Sequence, residues 1–245
     1  MRAELATRSV VLTRDDPKLA TLLGGRGVSV VTLECVLREP ADPAALRAAL
    51  GPLGARDVLV LTSPAGVDAV GAAIDLHALR CPIAVIGRAT AERLRTHGRA
   101  CDHIASAPTG AALGRELPLP EGEVVLARSD RAFDDLPTIL HARGARVREV
   151  VAYRTRAKAQ GDASAARHAL GSDGAAVVVT SPSALEGLVA EVGTEPVRRA
   201  VLVAIGPTTA RAIERVLHVA PRVAKEPTAE AIADALLEAR DVAHR

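Results

Sequence analysis

Ile86-Gly87-Arg88-Ala89-Thr90-Ala91-Glu92-Arg93 is echoed late in the chain by Ile205-Gly206-Pro207-Thr208-Thr209-Ala210-Arg211-Ala212. Upstream of each copy, Leu61-Thr62-Ser63-Pro64 is matched by Val179-Thr180-Ser181-Pro182, and downstream Pro108-Thr109 is matched by Pro227-Thr228. The offsets, 62 to 180, 87 to 206 and 108 to 227, are 118, 119 and 119 residues. Val10-Val11-Leu12 matches Val124-Val125-Leu126 at 114, and Gly27 matches Gly144 at 117. A repeat this long is a duplicated domain and not a solenoid period. A chain of 245 residues holds two such domains, and a cleft between domains is a preferred place for a small molecule.

Short apolar runs alternate with amphipathic stretches. Strands are expected at Ser9–Leu12, Val28–Leu33, Asp57–Leu61, Ile83–Ile86, Val124–Ala127, Val147–Tyr153, Ala175–Val179 and Val201–Ile205. They are apolar almost throughout, as strands covered on both faces should be. Helices are expected at Pro64–His77, Ala89–His97, Asp134–Arg143, Ser183–Val192 and Thr208–Leu217. This alternation predicts α/β architecture: two doubly wound parallel-sheet domains of similar fold. Arg38–Pro43 and Arg154–Lys158 are polar, follow the second strand of each repeat and read as interdomain connectors. Periodicity leaves open whether the first strand-helix-strand joins the last third of the chain or the domains follow one another.

Composition excludes several functions. One Phe, one Tyr and no Trp leave aliphatic cores and little means of stacking nucleic-acid bases. The net charge of +2 offers no polybasic patch, and no Lys precedes Ser or Thr as a phosphate loop requires. Cys35, Cys81 and Cys101 are scattered and read as small apolar residues in a reducing compartment. No run is long enough to span a membrane, and no charged-then-apolar leader opens the chain, so a cytoplasmic protein is expected. Gly24-Gly25-Arg26-Gly27 follows a helix and precedes a strand, the reverse of the dinucleotide fingerprint, and reads as a helix stop. No His forms a metal-ligand spacing with Cys or a carboxylate.

The polar residues of interest fall on strand-to-helix turns: Thr13-Arg14, Thr62-Ser63-Pro64, Gly87 to Thr90, Arg128-Ser129-Asp130, Thr180 to Ser183, and Gly206 to Thr209. In a parallel sheet these lie at the carboxyl ends of the strands, where such folds bind ligands. Each exposes N–H groups at a helix amino end, which attract carboxylates and phosphates. Any one turn taken alone reads first as a helix cap, whereas the set of six suits an anionic, multidentate ligand. Tyr153, the one Tyr, ends a strand beside a connector.

Over nearly its whole length the chain resembles the uroporphyrinogen-III synthase family. The resemblance rests on Val10 to Arg14, the two Thr-Ser-Pro turns, Val125 to Arg128 with Arg143-Gly144-Ala145, Val150 to Thr155, Ala204 to Ala210, and Ala224 to Thr228. It implies two domains, 1–37 plus 156–245 and 38–155, joined by a two-stranded linker. It also implies a cyclising hydro-lyase of tetrapyrrole (haem, sirohaem or cobalamin) biosynthesis. Linear hydroxymethylbilane would lose water and close with inversion of its last ring, giving uroporphyrinogen III without metal or organic cofactor. Tyr153 would be the catalytic residue, assisting departure of the hydroxyl. Arg14, Thr62, Ser63, Thr90, Arg128, Ser129, Ser181, Ser183, Thr208 and Thr209 would bind substrate, the arginines by pairing with carboxylates. The scarcity of aromatics would leave aliphatic walls for the tetrapyrrole. A monomer is expected, receiving its substrate from the upstream hydroxymethylbilane synthase, with no nucleic-acid or membrane partner. The alternative is a non-catalytic tetrapyrrole- or anion-binding sensor of the same fold.

Overall fold

The chain divides into two compact units, residues 1–37 with 156–245, and residues 38–155. The computed structural model describes residues 9–242, with side chains described as far as Leu236. Residues 1–8, on which the expectation of a leaderless start bears, and residues 243–245 lie outside the described residues.

Unit 1 opens with β1 (Ser9–Leu12), α1 (Pro17–Gly24) and β2 (Ser29–Thr32). β3 (Glu34–Pro40) carries the chain into unit 2. There follow α2 (Pro43–Leu50), β4 (Val58–Leu61), α3 (Pro64–Ala73), β5 (Ile83–Val85), α4 (Arg88–Thr96) and β6 (His103–Ile104). α5 (Gly110–Glu116), β7 (Glu123–Ser129) and α6 (Asp135–Ala142) complete that unit. β8 (Arg146–Gln160) returns to unit 1, which ends with α7 (Ala163–Leu170), β9 (Ala176–Val179), α8 (Pro182–Val192) and α9 (Thr194–Arg199). Last come β10 (Val201–Ala204), α10 (Pro207–Leu217), β11 (Arg222–Val223) and α11 (Ala229–Val242).

Strand order makes the duplication explicit. Unit 1 has β11-β10-β9-β1-β2, and the other sheet has β3-β8-β7-β4-β5-β6. With β1 and β7 taken as equivalent first strands, β2 and β8 as second, and β9 and β4 as third, both sheets read 2-1-3-4-5, with β3 added beside β8 at the edge of the second. That is a doubly wound order whose switch point falls between the first and third strands. The pairs β1–β2, β1–β9, β9–β10, β10–β11, β4–β5, β4–β7, β5–β6 and β7–β8 are all parallel.

Each sheet is covered on both faces, because alternate residues of each strand point to opposite sides. In unit 2, Leu59, Leu61, Ile83, Val85 and Val125 pack under α2, α3 and α4. Val58, Val60, Ala84, Val124 and Leu126 pack under α5 and α6. In unit 1, Val11, Val177, Val179 and Leu202 meet α7 to α10, and Val10, Leu12, Val178 and Val203 meet α1 and α11. Each fully buried Val or Leu contributes about 1.5–3 kcal/mol. Tyr153 is the one aromatic residue in these four cores.

Side-chain oxygens start most helices. Asp16, Asp42, Ser63, Thr109, Asp162 and Ser181 each accept a first-turn N–H, satisfying donors that the helix itself leaves open. The glycine run stops α1 as expected: Gly25 is its cap, and Gly27 adopts φ +79°, a conformation that costs an L side chain. The expected connectors are strands. Arg38-Glu39-Pro40 ends β3, and Arg154–Lys158 lies within β8, its neighbour in the sheet. The linker is therefore a hydrogen-bonded ribbon, and β8 continues seven residues past the expected end at Tyr153, to Gln160. Within unit 1, α8 packs on this ribbon so closely that a Cβ on Gly187 would run into the Cys35 carbonyl and stand 3.1 Å from Lys158 N.

Candidate active site

At the unit 2 switch point the carboxyl ends of β4 and β7 lie side by side, with Leu61 opposite Ala127. Ser63 closes the turn after β4, its Oγ accepting the Gly66 N–H at 3.1 Å. The same oxygen lies 2.9 Å from the Tyr153 hydroxyl. Tyr153 reaches it through a β-bulge. Arg128 pairs with Val151 but Ser129 pairs with Tyr153, so Ala152 is an extra residue in β8. In a regular strand Ala152 and Tyr153 would face opposite ways. The bulge turns both into the α2–α4 core, leaving Tyr153 8% exposed, and bulges beside sites commonly re-aim a side chain in this way.

The next turn is tied to the same strand. Asp130 N–H donates to the Tyr153 carbonyl at 3.2 Å, and Asp130 Oδ1 accepts the Thr155 N–H at 2.8 Å. Ser129 Oγ lies 2.8 Å from Thr155 Oγ1. Thr62 is half-buried beside Ser63. The structure thus brings Ser63, Ser129 and Tyr153 together with Asp130 and Thr155.

Arg128 departs from expectation. Its guanidinium is buried and committed: Nε and Nη2 donate to Glu149 Oε2, and Nη1 donates to the Phe133 carbonyl at 2.5 Å. Asp134 Oδ1 lies 3.6 Å from Nη2. A guanidinium removed from water must be paired where it sits, so Arg128 braces the β7–α6 loop and is not an arm extended to a substrate carboxylate.

Elsewhere in unit 2, α4 begins at Gly87 with no side-chain cap. Thr90 is buried in its first turn, with its N–H on the Gly87 carbonyl at 3.1 Å. Unit 1 repeats the plan at its own switch point. Thr13 is buried there; its Oγ1 donates to the Val178 carbonyl at 2.9 Å, accepts the Thr180 N–H at 3.1 Å and lies 3.1 Å from Thr180 Oγ1. Arg14 is exposed, 3.7 Å from Asp16. Ser181 caps α8 through the Ala184 N–H, Ser183 is half-buried and engaged, and α10 starts at Gly206 without a side-chain cap. Thr208 is exposed and Thr209 buried.

Comparison with known families decides what this arrangement belongs to: a family model described as uroporphyrinogen-III synthase HemD matches residues 17–234. The chain belongs to the uroporphyrinogen-III synthase family. Its fold is also that of solved synthases. A mutant uroporphyrinogen III synthase from Thermus thermophilus matches with a TM-score of 0.59 at 19% identity, over 96% of this chain and 99% of that one. A uroporphyrinogen-III synthetase from Helicobacter pylori matches with a TM-score of 0.61 at 18% identity, over 95% and 99%. Comparison with curated protein sequences gives no match.

In this synthase-family chain a cavity of about 530 Å³ opens at the other end of the unit 2 sheet. It is lined by the amino ends of β4 and β5 with Arg56, Asp57, Asp102, His103 and Leu119. Asp57 there accepts the N–H groups of Glu123 and Gly54, at 2.8 and 2.9 Å, which hold its carboxyl below the usual range. His103 Nε2 is buried without a partner. Ligands of doubly wound sheets bind at the carboxyl ends, so this cavity is separate from the Tyr153 site despite its size. Among the described residues no cluster of three or more His, Cys, Asp or Glu is placed to hold a metal, and no helix is long and apolar enough to cross a membrane.

The bulge, the Arg128 brace and the Asp130–Thr155 link escape the sequence reading. Only Asp130 carried a signal, as a turn residue after β7.

Proposed function

We propose that this chain converts linear hydroxymethylbilane into uroporphyrinogen III, closing the ring with inversion of the last pyrrole and releasing water. The observation that carries the reading is the Tyr153–Ser63 hydroxyl pair, 2.9 Å apart at a switch point, in a chain of this family.

The chemistry suits a site with few acid–base groups. An electron-rich pyrrole expels its own hydroxyl, so the protein's main tasks are to orient the chain and to stabilise a developing cation. The C–O bond breaks, and the oxygen leaves as water once it gains a proton. The substituted carbon of the last ring then bonds to the freed methylene, giving a spiro intermediate. Its older bond to the neighbouring methylene bridge breaks, that bridge re-forms its bond at the ring's open α-carbon, and this carbon loses one proton as the ring rearomatises. No metal or organic cofactor is called for in this balance. If Ser63 donates to Tyr153, the phenol's own proton is left for the departing oxygen. This is general-acid assistance. The open first-turn N–H groups at the Gly-started ends of α4 and α10 suit the substrate's carboxylates. We take Thr62, Thr90, Ser129, Ser181, Ser183, Thr208 and Thr209 as further binding residues, with Arg14 the exposed cation. We also take the protein to be a cytoplasmic monomer supplied by hydroxymethylbilane synthase.

The test is a coupled assay: freshly generated hydroxymethylbilane is added to the purified, chelator-treated protein, and the porphyrin isomers are separated after oxidation. Type III product is expected. Type I product alone, with the bilane bound, would identify the sensor alternative. Neither binding nor type III product would refute both.

A further inference from the structure

The chain contains one Phe and one Tyr, and no Trp. Both rings occur at the carboxyl edge of the same sheet, Tyr153 on β8 and Phe133 in the β7–α6 loop. Every core is otherwise aliphatic, yet Phe133 is left out of them all and is 74% exposed. A lone exposed apolar residue needs no explanation by itself. The holding of this one does.

Arg128 is 5% exposed, and one of its donors is spent on the Phe133 carbonyl. Burial of a guanidinium is costly unless its donors are met in good geometry. Glu149, on the neighbouring strand, satisfies two others. Three residues before Phe133, Asp130 is bonded to the Tyr153 carbonyl and the Thr155 N–H. The backbone beneath the exposed ring is thus tied twice to β8, the strand that bears the proposed acid, once through Arg128 and Glu149 and once through Asp130. With the backbone already fixed, only side-chain freedom remains to be lost when a flat apolar partner packs on the ring, which lowers the cost of binding it.

We propose that Phe133 is a substrate-contact residue on which one pyrrole of the tetrapyrrole packs, and that Arg128 is the positioning residue that holds it there. The inference rests on the cyclase reading above. It replaces purely aliphatic walls with one aromatic surface, suited in offset or edge-on geometry to a pyrrole ring.

The experiment uses the full chain with Phe133→Ala, Phe133→Trp and Arg128→Lys. Wild-type formation of type III product is measured first, so that failure of the cyclase reading is seen by itself. Phe133→Ala should raise KM roughly three- to tenfold, the scale of one aromatic contact, with kcat changed by less than about twofold. Because the chain lacks Trp, Phe133→Trp provides a single reporter. Its emission should shift to the blue on saturation with uroporphyrinogen III, and this decides the contact even if turnover is absent. Arg128→Lys should raise KM in the wild-type background but not in Phe133→Ala, since it acts through that ring. An unchanged KM in Phe133→Ala, or Trp emission unmoved by saturating uroporphyrinogen III, overturns the proposal.

Discussion

Tyr153→Phe separates chemistry from packing at the proposed site. The ring is 8% exposed and embedded among aliphatic side chains under α3, and Phe preserves that volume. What is lost is one hydroxyl contact of 2.9 Å with Ser63 Oγ. Ser63 still accepts the Gly66 N–H at 3.1 Å, and its own O–H, on a half-buried residue, can turn to water, so the cost is that of one ordinary hydrogen bond, about 0.5–1.5 kcal/mol. At about 2–4 °C per kcal/mol for a chain of this size, the melting temperature should fall by no more than about 6 °C. Activity should fall much further. Positioned proton transfer contributes about 100- to 10,000-fold in enzymes, and a leaving group that departs readily argues for the low end. A fall in kcat of about a hundredfold is expected, with type III still the main product. The assay is steady-state cyclisation with isomer separation, run beside thermal unfolding. Ser63→Ala completes a double-mutant cycle, since coupled residues lose less together than the sum of their separate losses. A Tyr153→Phe protein with unaltered kcat would refute the acid, and Tyr153 would then be a core residue.

Three further outcomes follow from the geometry. Gly187→Ala should lower the urea midpoint by the equivalent of about 1–3 kcal/mol, because the new Cβ meets the backbone of Cys35 and Lys158 and not a yielding side chain; an unchanged midpoint would mean the ribbon can shift. Asp57 is held below the usual carboxyl range by the Glu123 and Gly54 N–H groups. A depressed group stabilises the fold at neutral pH, and that contribution is lost as pH falls below about 4. Asp57→Asn should therefore be less stable at pH 7 and flatter in its stability profile below pH 4, and parallel profiles would exclude the linkage. Burial and then Glu191 push the Cys35 thiol up to about 12, and burial raises Cys81, whereas Cys101 is part-exposed. A disulfide reagent should label Cys101 first in the native protein and all three thiols in urea; equal native rates would contradict these burials.

Much of this was legible because it is local. Apolar runs such as Val58–Leu61 and Ala176–Val179 are strands because both faces are covered, and Ser63 and Ser181 announce helix starts by being good caps. β6 and β11 are two residues each, too short for any periodicity to register. Arg154–Lys158 is the connector expected, crossing the unit boundary at Thr155/Arg156, and the strand runs past its expected end at Tyr153, where Arg154 to Gln160 alternates exposed with half-buried residues at the period of a strand. Arg128 is a different case. Its fate is decided by Glu149, 21 residues away on the next strand, and a cation's burial cannot be read without the partner that permits it. The Ala152 bulge is likewise a property of the pairing of β7 with β8, so nothing in Val150 to Arg154 alone tells which face Tyr153 takes.

The central position of β1 has a consequence for synthesis on the ribosome. The strand emerges well before β9, one of its two neighbours, and Thr13 finds the Val178 carbonyl 165 residues later. At about 5–20 residues per second that delay is roughly ten to thirty seconds. Unit 2 lies entirely within the interval and emerges as a continuous segment, whereas Val10, Val11 and Leu12 wait with half their ladder unmade. Until β9 emerges, the nascent chain therefore carries an apolar strand with one edge unpaired, and that edge is where a chaperone would bind.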